Sequence, residues 1–245
     1  MKYAIIAAGE GSRLLQEGIA APKPLVRVGQ EHLIDRLIRI FAACGATEIA
    51  VICRPAADYP VQEGQALTSV PDHLQQLRQR LAVPLHVISK GTPSSMHSLF
   101  ELSPLLDDEP FVLTTVDTIF REAEFARYVS EFQRLVSAGE ADGLMGVTDF
   151  IDDEKPLYVE TLADGRIANF LDVCATPRYI SGGIYGLTPR SLVTLRHCIE
   201  RGESRMRNFQ RALIADGLHL QAFPFSKVLD IDHASDILKA EQFLQ

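Results

Sequence analysis

Apolar positions in this chain fall into short runs divided by polar, glycine- or proline-bearing stretches. The spacing inside each run predicts its element. "YAIIA" at 3–7 is continuous, β-rich and bounded by Gly9, which predicts a strand buried on both faces. Residues 32–45, "HLIDRLIRIFAACG", are apolar at 33, 34, 37, 38, 40 and 41, a helical period that Gly45 closes. "EIAVIC" at 48–53 predicts the next buried strand. Strand, helix and strand of this kind predict a right-handed crossover in a parallel sheet. Residues 54–70 are polar, with Pro, Gly and Gln, and read as an exposed excursion. Beyond them, 72–81 predicts a helix, 85–89 a strand, 94–106 a helix broken or ended near Pro104, 111–117 a strand ending in Asp117, and 122–139 a helix.

Past that helix the rhythm changes. "GLMGVTDF", "LYVETLADGRIANFL" and "RYISGGIYGL" alternate as short strands, with "ADG" at 163–165 as a hairpin turn. Helices near 189–200 and 206–216, strands near 218–223 and 227–231, and a last helix at 233–243 complete the pattern. No repeat, low-complexity tract or linker interrupts it. The expectation is one α/β domain over 1–245: doubly wound and mostly parallel in its N-terminal half, mixed and more antiparallel in its C-terminal half.

Composition narrows the chemistry. The chain has 245 residues, 47% apolar and 23% charged, with a net charge of -8. An acidic chain with no long basic run argues against nucleic acid and anionic membrane as partners. A phosphate would have to be held locally, by a few placed cations and backbone amides. The four cysteines, Cys44, Cys53, Cys174 and Cys198, form no CxxC pair and no histidine cluster accompanies them, so they read as reduced thiols. The apolar N-terminal stretch is too short for a signal segment or a spanning helix, which predicts a soluble, cytoplasmic protein.

The candidate chemistry starts at "IIAAGEGSRL", 5–14. Gly9 and Gly11 lack Cβ atoms, so amides can approach an anion, and Arg13 adds a fork for two phosphate oxygens. An ordinary strand-to-loop turn with a surface arginine would give the same letters. A dinucleotide fold needs a third glycine where Leu14 stands, a helix at once, and an acid after the second strand; here Arg54 follows that strand. No Gly-Lys-Ser/Thr follows for a P-loop. The first long helix is expected only near residue 31.

The continuation is more specific. Ala7-Ala8-Gly9-Glu10-Gly11-Ser12-Arg13-Leu14, then Pro22-Lys23-Pro24-Leu25, resembles the signature of the sugar-phosphate nucleotidyltransferase family. The resemblance implies a Rossmann-like, nucleotide-diphospho-sugar transferase-like fold. It implies a nucleotide-binding half of about 1–120 and an acceptor-binding half of about 121–245. In that family the loop wraps a nucleoside triphosphate, the arginine contacts the leaving pyrophosphate and the lysine the reacting phosphates. Those roles fall on Arg13 and Lys23, with Ala7, Ala8, Gly9, Gly11 and Ser12 lining the nucleotide. Asp117, at the carboxyl end of a central strand, takes the place of a Mg²⁺-binding aspartate, although Val116 stands where many members have glycine. The closing "VLDIDHASD" resembles the stretch that supplies a second metal aspartate; Asp232 is preferred and Asp230 is the alternative, while Asp236 is left to the last helix. "SKGTPSSMHSL" resembles the segment beside the base, which implies Gly91, Thr92 and Ser95 as nucleotide contacts. "DEKP" and "SGGIY" imply Glu154 or Lys155, and Gly182, Gly183 and Tyr185, on the acceptor side, with Ser181 replacing the usual asparagine. For the charged pair, a solvated charge run is the competing reading.

The implied reaction transfers a nucleoside monophosphate from a nucleoside triphosphate to a phosphorylated acceptor, a sugar 1-phosphate or phosphocholine-like molecule, with release of pyrophosphate. Mg²⁺ is the implied cofactor, with Mn²⁺ as a substitute; a homo-oligomer is left open. Arg13, Lys23 and Asp117 would carry catalysis through positioning and charge. Two alternatives stand beside it. One is a glycosyltransferase of related architecture, prompted by the literal Asp-x-Asp at 230–232. The other is a non-catalytic nucleotide or sugar-phosphate sensor of the same fold.

Overall fold

The computed structural model describes residues 1–58, 69–152 and 155–245. Its first half runs β1 (Lys2–Ala7), α1 (Ser12–Gln16), β2 (Arg27–Val28), β3 (Glu31–His32), α2 (Leu33–Ala43), β4 (Ile49–Cys53), α3 (Val70–Arg78), β5 (Leu85–Ser89), α4 (Ser95–Leu102), β6 (Phe111–Thr115) and β7 (Thr118–Ile119). Then come α5 (Glu122–Ser137), β8 (Gly143–Thr148), β9 (Tyr158–Thr161), β10 (Ile167–Leu171), β11 (Tyr179–Leu187), α6 (Ser191–Glu200), α7 (Met206–Ala215), β12 (Leu220–Phe225), β13 (Leu229–Asp230) and α8 (Ala234–Leu244). A mixed α/β fold results, and each predicted helix or strand among the described residues has a counterpart. The excursion at 54–70 is described only at its two ends.

β6, β1, β4 and β5 lie side by side and parallel. β11 then runs antiparallel to β6, and β8 antiparallel to β11. β12 joins β8 in parallel, and the β9–β10 hairpin pairs through β9 with the start of β11. The chain leaves β1 toward β4 and β5, then returns to the other side of β1 as β6. Strand order therefore reverses between β1 and β6, the crevice where open α/β sheets take ligands.

β1 shows why the sheet is a middle layer. Tyr3, Ile5 and Ala7 pack into one apolar cluster with α2, α3 and α5, whereas Ala4 and Ile6 pack into another with α4, α6 and α7. A strand buried on both faces has no need to alternate polar and apolar residues. Rings thread the first cluster: Tyr3 stacks on Phe41 at 4.7 Å, Phe41 on Phe125 at 5.5 Å, and Phe125 on Phe120 at 4.6 Å. Burying each such side chain contributes about 1.5–3 kcal/mol. The four cysteines are free. Burial pushes the Cys53 thiol up to about 12 and that of Cys198 to about 11.

The first long helix, α2, begins at Leu33, near the residue expected for it; what the apolar pattern did not show is a single helical turn, α1, that starts directly after Gly11. Gly11 takes the left-handed conformation, φ 63°, that turns the chain into it. The turn holds only five residues, too few for a 3.6-residue apolar period to show.

The sheet leaves no room at Gly186 on β11. A Cβ there would stand 2.8 Å from the Phe132 ring and from the Tyr128 hydroxyl. Gly186→Ala is expected to cost about 1–3 kcal/mol through overpacking. Urea unfolding checks it: the midpoint should fall while the slope stays unchanged.

Candidate active site

The reversal point opens into a cleft of about 800 Å³. All ten residues expected beside the nucleotide line it: Ala7, Ala8, Gly9, Gly11, Ser12, Arg13, Lys23, Gly91, Thr92 and Ser95. Asp117 and Asp232 line it too. A Cβ on Gly9 would meet nothing within 4 Å, so packing does not require the glycine there. A Cβ on Gly11 would stand 3.0 Å from the Lys23 Cβ, so the glycine lets the Pro-Lys-Pro segment close onto the loop. Pro22 then starts a tight turn over Lys23–Leu25 that aims the lysine inward.

Lys23 is the hub. Its ammonium lies 2.5 Å from Asp117 Oδ2 and 2.6 Å from Asp232 Oδ1, with its side chain only 10% exposed. Arg13 Nη1 donates to Asp232 Oδ2 at 3.2 Å. The two acids come from far apart in the chain. β13 pairs antiparallel with β7, matching Leu229 with Ile119 and Asp230 with Thr118. The Ile231 amide extends that pairing by donating to the Asp117 carbonyl at 3.1 Å. Asp232 follows at once, and so stands beside Asp117.

Burial by itself would lower the Lys23 ammonium, yet its two carboxylates outweigh this and hold it above the ordinary lysine value. Burial would likewise raise Asp117, but Lys23 beside it holds its carboxyl below the ordinary range. Asp117 Oδ1 is buried with no hydrogen-bond partner among the described residues. An orphaned carboxylate oxygen beside a second carboxylate is a donor set that fits a hard dication such as Mg²⁺.

A second cleft, of about 350 Å³, adjoins the first and shares Arg13 and Asp232 with it. Lys155, Gly182 and Asp230 line this one. Gly183 and Tyr185, expected on the acceptor side, line neither cleft. Gly183 sits in the irregular register between β11 and β8, where a Cβ would stand 3.1 Å from the Thr118 hydroxyl. Tyr185 points to the other face of β11 and is buried in the core. Successive strand side chains alternate faces, so a motif read as one patch is divided by the pleat. Glu154 lies outside the described residues. Asp232 is not the helix cap: His233 caps α8, and Asp236 accepts from the His233 amide at 2.8 Å, the helix role expected of it.

Some cleft residues escaped the sequence. Arg54 lines the first cleft and pairs with Glu10 at 3.2 Å. It follows β4 as Asp117 follows β6, and the position after a parallel strand was its one signal. His233, which caps α8, and Asp236 and Lys239, three apart within it and paired at 3.2 Å, line the second cleft.

A family model described as a MobA-like NTP transferase domain matches residues 3–145, more than half of the chain. The chain belongs to this family. A probable glucose-1-phosphate cytidylyltransferase of Bacillus subtilis is 22% identical over 200 residues, spanning 78% of this chain and 76% of that protein. The glucose-1-phosphate cytidylyltransferase of Salmonella typhimurium is 26% identical over 132 residues, 49% of this chain and 51% of its own. Among solved structures, the inositol-1-phosphate CTP transferase of T. maritima superposes with a TM-score of 0.74 at 19% identity, over 100% of this chain and 97% of its own. The CTP:phosphocholine cytidylyltransferase of Streptococcus pneumoniae gives 0.74 at 18% identity, over 100% and 99%. These two structures share this fold over the described chain. No described helix is long and apolar enough to cross a membrane.

The buried pair has a pH signature. In the native protein Asp117 is held below its unfolded value of about 3.9. Its stabilisation is present above that value and is lost as pH falls through the folded value. In Lys23→Met the burial goes uncompensated, which raises Asp117. Its contribution then persists only below the unfolded value and is lost as pH rises through the folded one. Near neutral pH this variant should be about 3–5 kcal/mol less stable, and Lys23→Met/Asp117→Asn should recover most of that. Urea midpoints followed from acid to neutral pH check both.

Proposed function

We propose that the chain transfers a nucleotidyl group, CMP from CTP, to the phosphate of a sugar 1-phosphate or related acceptor and releases pyrophosphate. The observation that carries this reading is the meeting of two clefts at Arg13 and Asp232, with the Lys23 ammonium bonded to Asp232 at the junction. A triphosphate in the larger cleft and a phosphorylated acceptor in the smaller would bring their phosphates together there. The cytidylyltransferase names of the relatives support CTP.

The acceptor phosphate oxygen attacks the α-phosphorus, a new P–O bond forms, and the bond to the bridging α–β oxygen breaks as pyrophosphate leaves. The nucleophile is already an anion, so no strong base is needed. The barrier is the approach of two polyanions and the charge on the leaving group. Lys23 stays protonated, because its carboxylates hold it so, and acts as a fixed cation rather than a base. Arg13, more exposed, reaches the departing pyrophosphate. Loop amides from Ala8 to Ser12 face the phosphates. Asp117 and Asp232, with Asp230 as the alternative, would hold Mg²⁺, which neutralises phosphate charge when bound. Gly91, Thr92 and Ser95 flank the base, and Lys155 and Gly182 the acceptor. Residues 1–245 work as one domain, with nucleotide and acceptor halves meeting near residue 120.

The cytidylyltransferase names of the relatives favour nucleotidyl transfer over the glycosyltransferase alternative that Asp230 and Asp232 prompted.

Pyrophosphate release, measured for each common nucleoside triphosphate against glucose 1-phosphate, inositol 1-phosphate and phosphocholine with Mg²⁺, tests the proposal. CTP with a sugar or polyol phosphate should react, and chelation should stop it. Silence with every pair would reject it. Arg13→Ala should lower the turnover about 10²–10³-fold. Its melting temperature should barely move, since the Arg13–Asp232 pair is exposed and worth under about 1 kcal/mol.

A further inference from the structure

Away from both clefts, three side chains converge that the transfer chemistry does not use. His32 caps the N-terminus of α2, Asp35 lies in the first turn of that helix, and His73 lies in the first turn of α3. Each offers one ligand atom, and these atoms lie within 4.8 Å of one another. His32 Nδ1 is 2.9 Å from Asp35 Oδ2, and His73 Nε2 is 2.6 Å from Asp35 Oδ1. The two rings meet edge to face, 5.0 Å between centroids. All three side chains are half-buried, at 22%, 28% and 20% exposure, so an ion could enter while the positions stay held.

We propose that His32, Asp35 and His73 form a binding site for a transition-metal dication of the Zn²⁺ class, separate from the carboxylate pair in the cleft. Two imidazole nitrogens and one carboxylate oxygen make a three-ligand zinc set that leaves a fourth position for water. Imidazole selects Zn²⁺ and its neighbours, whereas Mg²⁺ takes oxygen donors and goes to the cleft. Metal–ligand bonds of about 2.0–2.2 Å place ligand atoms up to about 4 Å apart, so the group needs only a small contraction. Each ring would carry its proton on the nitrogen turned away from Asp35, and the carboxylate would exchange two hydrogen bonds for one metal bond.

Position suggests the consequence. α2 precedes β4, whose next residue, Arg54, lines the larger cleft, and α3 follows later in the chain. An ion here would join the first turns of α2 and α3. With three protein ligands and partial exposure, the ion would exchange with solvent, unlike one in a closed four-ligand site.

The test uses the full chain, stripped of metal and kept in excess Mg²⁺ so that the cleft is satisfied. Zn²⁺ is titrated by calorimetry, and Co²⁺ by its visible absorption. One equivalent of Zn²⁺ should bind and raise the melting temperature, and Co²⁺ should give the intense bands of a tetrahedral site with nitrogen ligands. His73→Gln and Asp35→Asn should each weaken binding by about 100-fold or more, beyond the loss of an outer-shell partner. Circular dichroism shows whether they fold, and His32→Gln replaces any that does not. Asp117→Asn should bind Zn²⁺ normally. The proposal is overturned if no Zn²⁺ binds over Mg²⁺, which would leave the triad a hydrogen-bonded clamp. It is equally overturned if binding survives the folded triad variants or vanishes in Asp117→Asn.

Discussion

Everything at the candidate site hangs on one ammonium held between two carboxylates. Lys23 is buried, which disfavours its charge, and only Asp117 and Asp232 make that charge tolerable. The dependence runs both ways, because Asp117 is buried as well. Neither can be lost cheaply, since an uncompensated charge would remain inside. Three distant stretches of chain are thereby locked together: the turn after the glycine loop, the end of β6, and the segment before α8.

The backbone around the site is arranged to let that contact form. Gly11 has no Cβ to hold the Pro-Lys-Pro turn away. The short β7–β13 pair and the Ile231–Asp117 hydrogen bond carry the second acid to the first. The reversal of strand order between β1 and β6 opens the crevice where the three meet. None of these features is strong alone. Together they leave a stiff, charged floor beneath a cleft that can admit a polyanion.

Charge balance explains why the cations are few and placed. A chain of net charge -8 repels phosphate at long range, so attraction has to be local. Lys23, Arg13 and Arg54 each arrive already paired with an acid: Asp117 and Asp232 for Lys23, Asp232 for Arg13, Glu10 for Arg54. Phosphate binding therefore exchanges one anion for another around cations that stay in position. A dication sharing Asp117 and Asp232 would fit the same exchange, because it competes with Lys23 for the same oxygens.

The sequence alone determined the parallel strands, the helices between them and the loop and lysine that line the larger cleft. Those features are local: apolar runs name buried strands, 3.6-residue spacing names helices, and the loop and lysine fall within one short segment. The five-residue α1 was too short to show a period. Only the tertiary structure brought Asp232 to the lysine that Asp117 holds, because a strand pairing more than a hundred residues apart sets it. It also divided "SGGIY", leaving Gly182 at a cleft and folding Tyr185 into the core, since the pleat and a local irregularity in register choose the face. Arg54 in the cleft, and two histidines meeting at Asp35, were invisible for the same reason. Each contact joins elements whose spacing along the chain carries no period, and only the packing of sheet and helices brings them within reach.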